Sequence, residues 1–361
     1  MLNLKNEGIK KFYDQAKKRT LYVFGASKRI YSHTTIMPSY SLFHVANYIV
    51  DNDEKKWGKL YGDKLPIISP SQMVLRIKKD DIILIMPVCY ENIIKQLDNI
   101  TELDGIDCYI IDYIHDYLDS FVDMDYYEKS KENKYCIPPV LHYCWFGNND
   151  LPVDYKRYIE SWKKFCPDYK IIRWDESNYD ITKHPFLKKA YEDKKWAFVS
   201  DYARLDIIYN NGGIYLDTDV EVIKNFDELR KFHAFFGFES EEMVATGLGF
   251  GAEKGNVLVK SLLESYDNLG EQDYITCPVL QSADMRKYGL KGNNTFQIIE
   301  YGKAAILPTE FLCGMSGYFK TKNISNNTYS IHHYSASWIE NRKIYCIEDI
   351  HKRMLKGGQH D

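Results

Sequence analysis

The 361-residue sequence has little excess of charge of either sign, because 47 lysines and arginines stand against 51 aspartates and glutamates. Non-specific binding to nucleic acid needs a basic surplus, so nucleic acid is not an expected partner. Long apolar runs are also lacking: residues 82–88 form one of the longest, far short of the roughly 20 residues that span a bilayer. The polar amino terminus has no signal-peptide core. We therefore expect a cytoplasmic protein.

The eight cysteines include no Cys-x-x-Cys pair and no regular spacing. This pattern excludes a zinc ribbon and a disulfide framework. Internal repeats and low-complexity segments are absent as well. The length then predicts about two globular domains.

The first part of the chain alternates short β-branched runs with helix-length segments, which predicts a small parallel sheet. The predicted strands are 21–24, 48–50, 82–86 and 108–111. Gly25 and Asp51 follow the first two strands, where a dinucleotide-binding unit holds its phosphate turn and its ribose-binding acid. Ser27 and Ile30 replace the other two glycines of that fingerprint. We predict a Rossmann-like domain over residues 1–130, of open role, and keep a nicotinamide-dependent sugar-nucleotide oxidoreductase as an alternative function.

A charged segment at 116–133 is the predicted linker, and a second α/β domain is predicted over 135–361. Its predicted elements are a strand within 137–147, a helix containing Tyr158 and Trp162, a strand at 169–174, helical residues 186–210 and a strand at 214–216. Sheets of this kind bind ligands beyond the carboxyl ends of their strands. The unusual residues of the sequence lie at these positions.

Asp217 and Asp219 occupy alternate positions just after an apolar strand, so both carboxylates face the same side of an extended segment. A hard divalent cation is the simplest way to relieve their repulsion. Upstream, Asp201 and Arg204 share one face of a helix that leads through a double-glycine turn into this strand. Arg204 fits two roles at this point, a structural salt bridge and a clamp on a ligand phosphate.

The whole run of residues 198–219 resembles the Asp-x-Asp sugar-binding region of family 32 glycosyltransferases, and the resemblance extends over about 137–338. It implies a GT-A-like nucleotide-sugar transferase fold for the second domain. By resemblance, Asp219 is a direct ligand of Mn²⁺ or Mg²⁺, and Asp217 binds the donor ribose or sugar and the water shell of the metal. Asp201 and Arg204 would hold the donor sugar, with Arg204 also near its diphosphate.

The same resemblance assigns further residues. Trp145 matches the aromatic side chain on which the donor base stacks, an interaction worth ~1–3 kcal/mol. The segment containing His332, His333 and Trp338 resembles the one that closes the active site of the family. We expect one histidine, preferably His333, to bind the metal, and Trp338 to cover the diphosphate or sugar. The glycine-rich residues 246–252 fit equally an acceptor-side loop and a plain turn.

The resemblance thus implies a retaining, metal-dependent transfer of a hexose from a nucleotide sugar, with a UDP-sugar favoured over GDP-mannose. The expected acceptor is a glycan or lipid-linked saccharide of bacterial capsular polysaccharide or lipopolysaccharide synthesis. A non-catalytic sugar-binding scaffold is a further alternative. Residues 339–356 mix basic and apolar side chains. They fit peripheral contact with the inner face of the cell membrane, although an amphipathic helix packed on the domain is favoured.

Overall fold

The computed structural model describes residues 1–116, 120–270, 274–316, 322–335 and 350. Contacts group the described residues into two compact units, 1–116 with 350, and 120–335. Each unit combines helices with a β-sheet, so the predicted α/β class is confirmed. Residues 120–133, which the sequence assigned to a linker, group with the second unit and contain a helix.

The described part of the first unit holds a seven-stranded sheet with the order β1-β7-β6-β2-β3-β5-β4. All of its pairings are parallel except β4 with β5. Its strands are β1 (Asn3–Leu4), β2 (Leu21–Phe24), β3 (Tyr48–Val50), β4 (Leu60–Tyr61), β5 (Leu65–Ile68), β6 (Ile82–Ile85) and β7 (Asp107–Ile110), and its helices are α1 (Ile9–Ala16), α2 (Arg29–Ile36), α3 (Pro70–Val74), α4 (Tyr90–Asp98) and α5 (Ile111–Asp116). The parallel sheet predicted for this half is present, with strand ends within one residue of those predicted.

The second unit, as far as it is described, contains a mixed sheet with the order β14-β15-β12-β13-β10-β8-β9 and a two-stranded sheet of β11 and β16. Its strands are β8 (Val140–Cys144), β9 (Lys170–Trp174), β10 (Gly213–Tyr215), β11 (Val220–Val222), β12 (Ala234–Gly237), β13 (Phe250–Ala252), β14 (Gln297–Ile299), β15 (Ala304–Leu307) and β16 (Ser330–His332). Its helices are α6 (Met124–Lys129), α7 (Val153–Phe165), α8 (Pro185–Glu192), α9 (Trp196–Asn211), α10 (Val257–Glu264), α11 (Cys277–Arg286) and α12 (Thr309–Leu312).

The strand directions of the mixed sheet determine which loops meet. Strands β8 and β10 are parallel. Strand β13 is antiparallel to both β10 and β12, so β12 runs in the same direction as β8 and β10. The carboxyl ends of these three strands therefore lie along one edge of the sheet, which is the usual ligand-binding edge of an α/β fold.

The strands β10, β12, β13 and β15 of the mixed sheet are buried on both faces. Successive side chains of a strand point to opposite faces, and both sets are buried here. Tyr215 and Phe236 belong to a core cluster on one side. Ile214 and Phe235, their immediate neighbours in sequence, belong to the cluster that contains the fully buried Trp162. The sheet is thus a rigid support for the loops at its edge.

The helical run predicted over 186–210 is two helices, α8 and α9. The amide of Lys195 donates to the carbonyl oxygen of Ala190, and the amide of Lys194 donates to that of Tyr191. Lys194 has a φ of 56°, so these bonds form a Schellman end in which a lysine takes the position usually held by glycine. Because no glycine marks the end of α8, this break was not predicted from the sequence.

The double-glycine turn between α9 and β10 is required by its surroundings. Gly213 has a φ of 109°, and a Cβ atom there would lie 2.7 Å from His142 Nε2 and 2.8 Å from the carbonyl oxygen of Val140. Helix α9 is thereby joined to β10 with a minimal connection. Asp201 and Arg204 on the helix are brought close to the strand that leads to Asp217.

His142 in β8 is 1% exposed and is held as a neutral ring. Its Nδ1 accepts a hydrogen bond from Trp174 Nε1 at 3.0 Å, and its Nε2 lies 3.0 Å from the carbonyl oxygen of Gly212. Burial lowers the pKa of His142 to about 4. The unfolded chain binds this proton near pH 6.5, so the free energy of unfolding should fall as the pH drops from about 6.5 to about 4, by up to ~1.4 kcal/mol per pH unit.

This prediction is checked by measuring the unfolding free energy against pH for the wild type and for His142→Asn. The variant is expected to be less stable at pH 7 and to have a shallower dependence on pH in this window. Equal slopes for the two proteins would contradict the assignment.

No helix in the described ranges is both long enough and apolar enough to cross a membrane. The segment 339–356, for which membrane contact was considered, lies outside the described residues apart from Ile350.

Candidate active site

A cavity of about 800 Å³ lies at the carboxyl-end edge of the mixed sheet, within the size range of small-molecule sites, ~300–1,000 Å³. Most of the residues predicted from the sequence line it: Trp145, Asp201, Arg204, Asp217 and Asp219, together with His332. His333 is not among the described residues that line the cavity, and Trp338 lies outside the described residues.

Arg204 on α9 is 3% exposed and is bracketed by two carboxylates. Its Nη2 atom lies 3.0 Å from Asp201 Oδ1 and 3.2 Å from Asp217 Oδ1. Its Nε donates to the carbonyl oxygen of Ser200 at 3.1 Å, and its guanidinium lies over the Tyr215 ring, 4.9 Å from the ring centroid. These contacts hold the side chain of Arg204 in one orientation toward the cavity.

The buried charges at this wall are incompletely balanced, since two carboxylates share one guanidinium. Burial raises the pKa of Asp201 to about 6 against the opposing effect of Arg204. Burial likewise raises the pKa of Asp217, again opposed by Arg204. The Tyr215 hydroxyl donates to Asp217 Oδ1 at 3.0 Å. A ligand that brings hydroxyl donors or positive charge would relieve this surplus of negative charge.

Asp219 lies beside the strand pair β11 and β16. Its Oδ1 is 3.2 Å from His332 Nε2, and its Oδ2 accepts from the amide of Ser335 at 2.8 Å. Burial would raise the pKa of Asp219, but His332 and the Ser335 amide outweigh burial and hold it well below its usual range. Burial would lower the pKa of His332, but Asp219 raises it above the usual value. Protonated His332 and Asp219 are placed to form an ion pair.

His332 lies beside Asp219, where His333 was expected from the sequence. The His333 ring stacks on Tyr158 with centroids 4.2 Å apart, and its Nε2 lies 2.9 Å from Glu221 Oε2. Register explains the exchange: His332 pairs with Val220 in the β11–β16 ladder, and neighbouring residues of an extended chain point to opposite sides. Only one histidine of the pair can therefore reach the aspartates.

Asp217, Asp219 and His332 form a donor set that suits a divalent metal. One ligand atom from each residue lies within 4.8 Å of the others. Carboxylate oxygens with an imidazole nitrogen fit Mn²⁺ and, with more oxygen ligands, Mg²⁺. In addition, His332 Nδ1 is buried without a hydrogen-bond partner among the described residues. The residues present thus fit the metal that the sequence predicted.

Trp145 follows β8 and is partly exposed in the cavity. Its Nε1 donates to the carbonyl oxygen of Asn149 at 2.7 Å, and its ring packs edge-to-face on Tyr155 with centroids 5.7 Å apart. Gly147 lies against the Trp196 ring, where a Cβ atom would approach within 2.9 Å. Two tryptophans therefore contribute flat apolar surface to the cavity wall, which suits stacking of a nucleobase.

Some cavity residues carried no signal that the sequence analysis used. Glu239 follows β12, and Lys194 and Lys195 come from the turn between α8 and α9. Gly247, by contrast, belongs to the glycine-rich residues 246–252 noted in the sequence, and a Cβ atom there would be 2.6 Å from Asp217 Oδ2 and 3.2 Å from Arg204 Nη1. Glu239 lies two residues after the apolar strand β12, and an acid at the end of an apolar run is a signal that could have found it.

Gly247→Ala is expected to raise the Kd of a ligand that binds in this cavity about ten-fold. The new methyl group must displace Asp217 or Arg204 from the positions that their ion pair holds. Overpacking of this kind costs ~1–3 kcal/mol, and 1.4 kcal/mol corresponds to a factor of ten. Calorimetric titration with the ligand measures the effect. Gly255→Ala is the contrast, since Gly255 has a φ of 76° and open space around it. This second variant should lose stability and keep its affinity; equal affinities in all three proteins would contradict the prediction.

The first unit gives little support to the nicotinamide alternative. Asp51 Oδ2 accepts from the amide of Ala26 at 2.8 Å and lies 3.0 Å from Lys56 Nζ, and its Oδ1 accepts from the amide of Asp53 at 2.9 Å. The Pro87 ring fills the space beside Gly25, where a Cβ atom would lie 2.6 Å away. The acid predicted to bind ribose is thus engaged by its own chain.

Comparison with known proteins agrees with the geometry of the second unit. Residues 152–236 match the family model described as the glycosyltransferase sugar-binding region containing the DXD motif. This stretch of the chain is therefore similar to a glycosyltransferase sugar-binding region. The match includes Asp201, Arg204, Asp217 and Asp219 and ends before Glu239.

Two curated relatives show similarity over part of the chain. Inositol phosphoceramide mannosyltransferase 3 of Schizosaccharomyces pombe is 29% identical over 124 residues, 33% of this chain and 34% of that protein. The uncharacterized glycosyltransferase L373 of Acanthamoeba polyphaga mimivirus is 30% identical over 110 residues, 28% of this chain and 42% of that protein. The matched region thus covers 34% of the length of one relative and 42% of the other, less than half of each.

Among solved structures, the PaToxG glycosyltransferase is similar at a TM-score of 0.36 and 16% identity, covering 45% of this chain and 74% of that chain.

Proposed function

We propose that this protein is a metal-dependent glycosyltransferase that moves a hexose from a nucleotide sugar to a hydroxyl group of a saccharide acceptor. The observation that carries the proposal is the arrangement of Arg204 between Asp201 and Asp217, with Asp219 and His332 on the same cavity wall. The family match over residues 152–236 supports it at the level of the sugar-binding region.

The residues divide into two groups in this proposal. Asp219 and His332, with Asp217 beside them, hold Mn²⁺ or Mg²⁺, which would offset the negative charge that develops on the departing diphosphate. Arg204 presents a rigid guanidinium to the same diphosphate, and Asp201 accepts hydrogen bonds from sugar hydroxyls. Donors that are already oriented cost no reorganisation when the sugar–phosphate bond breaks, which is how such groups lower the barrier.

The donor base is proposed to stack on Trp145, and we favour a UDP-sugar. GDP-mannose is the competing donor, because one curated relative is named a mannosyltransferase. We also propose that the reaction retains the anomeric configuration, as the family 32 resemblance implies. Nuclear magnetic resonance of the first-formed product decides this directly.

For the acceptor we propose a glycan or lipid-linked saccharide of bacterial surface polysaccharide synthesis, reached from the cytoplasm at the inner face of the cell membrane. The support for this part is the sequence resemblance. The two curated relatives come from a yeast and a virus and do not bear on it.

The test is thermal unfolding with Mn²⁺ and, in turn, UDP-glucose, UDP-galactose and GDP-mannose, followed by measurement of nucleoside diphosphate release. A ligand at 100 times its Kd stabilises the native state by ~2.7 kcal/mol, which should raise the Tm by several degrees. We expect one donor to do so in the presence of Mn²⁺ and then to be turned over. A shift with NAD or NADH alone would move the function to the first unit, and donor binding without turnover would favour a scaffold.

A further inference from the structure

One ring nitrogen of His332 is buried without an acceptor for its proton. Nε2 lies 3.2 Å from Asp219 Oδ1, within the donor set that suits a metal. The other nitrogen, Nδ1, has no hydrogen-bond partner among the described residues. When Nε2 binds a metal, Nδ1 carries the proton, and a buried N–H group that finds no acceptor is costly. The metal-bound form of His332 therefore needs an acceptor at Nδ1.

Histidines that bind metals commonly donate their second ring N–H to a carboxylate, a carbonyl oxygen or a water molecule. Two neighbours of His332 do not supply such an acceptor. The Tyr334 ring packs edge-to-face on the imidazole with centroids 4.2 Å apart, and the carbonyl oxygen of Cys313 accepts from the backbone amide of His332. The acceptor has to come from another side chain of the cavity.

Glu239 is a cavity carboxylate with unused acceptor capacity. It lies two residues after β12, whose carboxyl end lies at the same edge of the sheet as those of β8 and β10. The other three acids that line the cavity each pair with Arg204 or His332. Within the described ranges of the chain, the Glu239 carboxylate has no hydrogen-bond or ion-pair partner.

The loop that carries Glu239 lies on the metal side of the cavity. The same connection between β12 and β13 contains Gly247, where a Cβ atom would lie 2.6 Å from Asp217 Oδ2. Burial raises the pKa of Glu239, the charge of His332 opposes this shift, and Asp217 adds to it. The charge of Glu239 in turn helps to raise the pKa of His332. Such effects weaken with distance, so the Glu239 carboxylate lies near the His332 ring.

Glu239 nevertheless stands outside the donor set itself. The ligand atoms within 4.8 Å of one another belong to Asp217, Asp219 and His332, and Glu239 is not among them. Its backbone is held in place, because the amide of Glu239 donates to the carbonyl oxygen of Met243 at 2.7 Å. This placement suits a contact with a ligand of the metal rather than with the metal.

Building on the metal site of the proposed function, we propose that Glu239 is a positioning residue that accepts a hydrogen bond from His332 Nδ1, directly or through one water molecule. The contact fixes the tautomer of His332 that leaves the lone pair of Nε2 free for the metal. The negative charge of Glu239 also makes Nε2 a stronger ligand. Glu239 thus acts on the metal through His332.

The experiment is a calorimetric titration with Mn²⁺, in the absence of donor, of the wild type, Glu239→Gln and Glu239→Ala. Loss of a partner of this kind typically weakens metal binding ~10–100-fold. Glutamine keeps an acceptor oxygen and loses the charge, so we expect the Kd of Mn²⁺ to rise about ten-fold. Alanine loses both, and the rise should be larger. The Kd of the donor at saturating Mn²⁺ should change less than about two-fold in either variant.

A double variant tests whether Glu239 acts through His332. Adding Glu239→Gln to His332→Ala should change the Kd of Mn²⁺ less than about two-fold, because no imidazole N–H remains for Glu239 to accept from. An undiminished ten-fold effect in the His332→Ala protein would make Glu239 a direct contact of the metal or its water shell, and the proposal would be wrong.

Glu242→Gln is the matched control, because Glu242 is buried in the same loop and does not line the cavity. It should bind Mn²⁺ with the Kd of the wild type. An equal loss of Mn²⁺ binding in this control would show a general effect of the loop and overturn the assignment. If the Gln and Ala variants of Glu239 do not fold, Glu239→Asp replaces them. Its shorter side chain withdraws the carboxylate, so it too should bind Mn²⁺ more weakly.

The remaining outcomes separate this proposal from the proposed function. A wild-type Kd of Mn²⁺ in the Glu239 variants that fold contradicts the role of Glu239. Weaker donor binding at saturating Mn²⁺ would make Glu239 a donor contact instead. If the wild type binds Mn²⁺ and turns over no donor, the proposed function fails and the result for Glu239 stands. A wild type that binds no Mn²⁺ would overturn both.

Discussion

Asp219→Asn is expected to lower the rate of nucleoside diphosphate release by about a hundred-fold or more. The change removes the carboxylate charge from the donor set with Asp217 and His332. Losing one preorganised group that stabilises developing charge costs ~10²–10³ in kcat in well-studied enzymes. The same variant should lose the rise in Tm that Mn²⁺ produces. Both quantities are measured at saturating donor over a series of Mn²⁺ concentrations.

Asp206→Asn provides the comparison for this result. Asp206 is also a buried aspartate, paired with Lys183 Nζ at 2.7 Å, and it lies outside the cavity. We expect it to change stability and to keep the response to Mn²⁺. Full activity of Asp219→Asn at saturating Mn²⁺ would contradict the proposed metal dependence of the reaction.

Arg204→Met should have the largest effect on stability as well as a large effect on turnover. Removing one partner of a buried ion pair typically costs ~3–5 kcal/mol, because the remaining charge stays buried without compensation. Here two carboxylates, Asp201 and Asp217, would lose their shared cation. We expect a fall of about 10 °C in Tm and a loss of at least about a hundred-fold in kcat/KM. Thermal unfolding and initial rates measure the two effects.

Arg204→Lys separates the charge from the shape of the side chain. Lysine keeps the positive charge but lacks the planar guanidinium, whose Nε donates to the Ser200 carbonyl oxygen while its Nη2 contacts both carboxylates. It should regain much of the stability while turnover remains low. Arg230→Met is the control, since Arg230 is buried and pairs with Asp227 at 2.7 Å outside the cavity. It should lose stability and retain kcat. Wild-type kinetics for Arg204→Lys would reduce Arg204 to a structural salt bridge.

The local parts of the fold were readable from the sequence. Strand β2 and strand β3 fall where apolar β-branched runs predict them, and the helix containing Trp162 falls where the aromatic spacing predicts it. The break between α8 and α9 was missed because Lys194 adopts the left-handed conformation that glycine usually signals. Periodicity is an average over a segment and does not register one residue of unusual backbone conformation.

The residues that meet across the sheet could not be assigned in the same way. His332 and His333 are equivalent in composition and differ by one position, and the pairing of β16 with β11 alone decides which one faces Asp219. Glu239 lies twenty residues beyond the Asp-x-Asp motif, and it reaches the cavity because β12 runs in the same direction as β10 through their shared neighbour β13.

Residue spacing alone predicts two pairs of the site: Asp201 with Arg204 on one helical face, and Asp217 with Asp219 on one side of an extended segment. These are relations of three and two residues, and the geometry of a single helix or strand dictates them. Three other relations come only from the tertiary structure: His332 and not His333 lies beside Asp219, two acids share Arg204, and Glu239 enters the cavity. Those relations depend on strand register and direction over tens of residues, which only the packing of the whole sheet specifies.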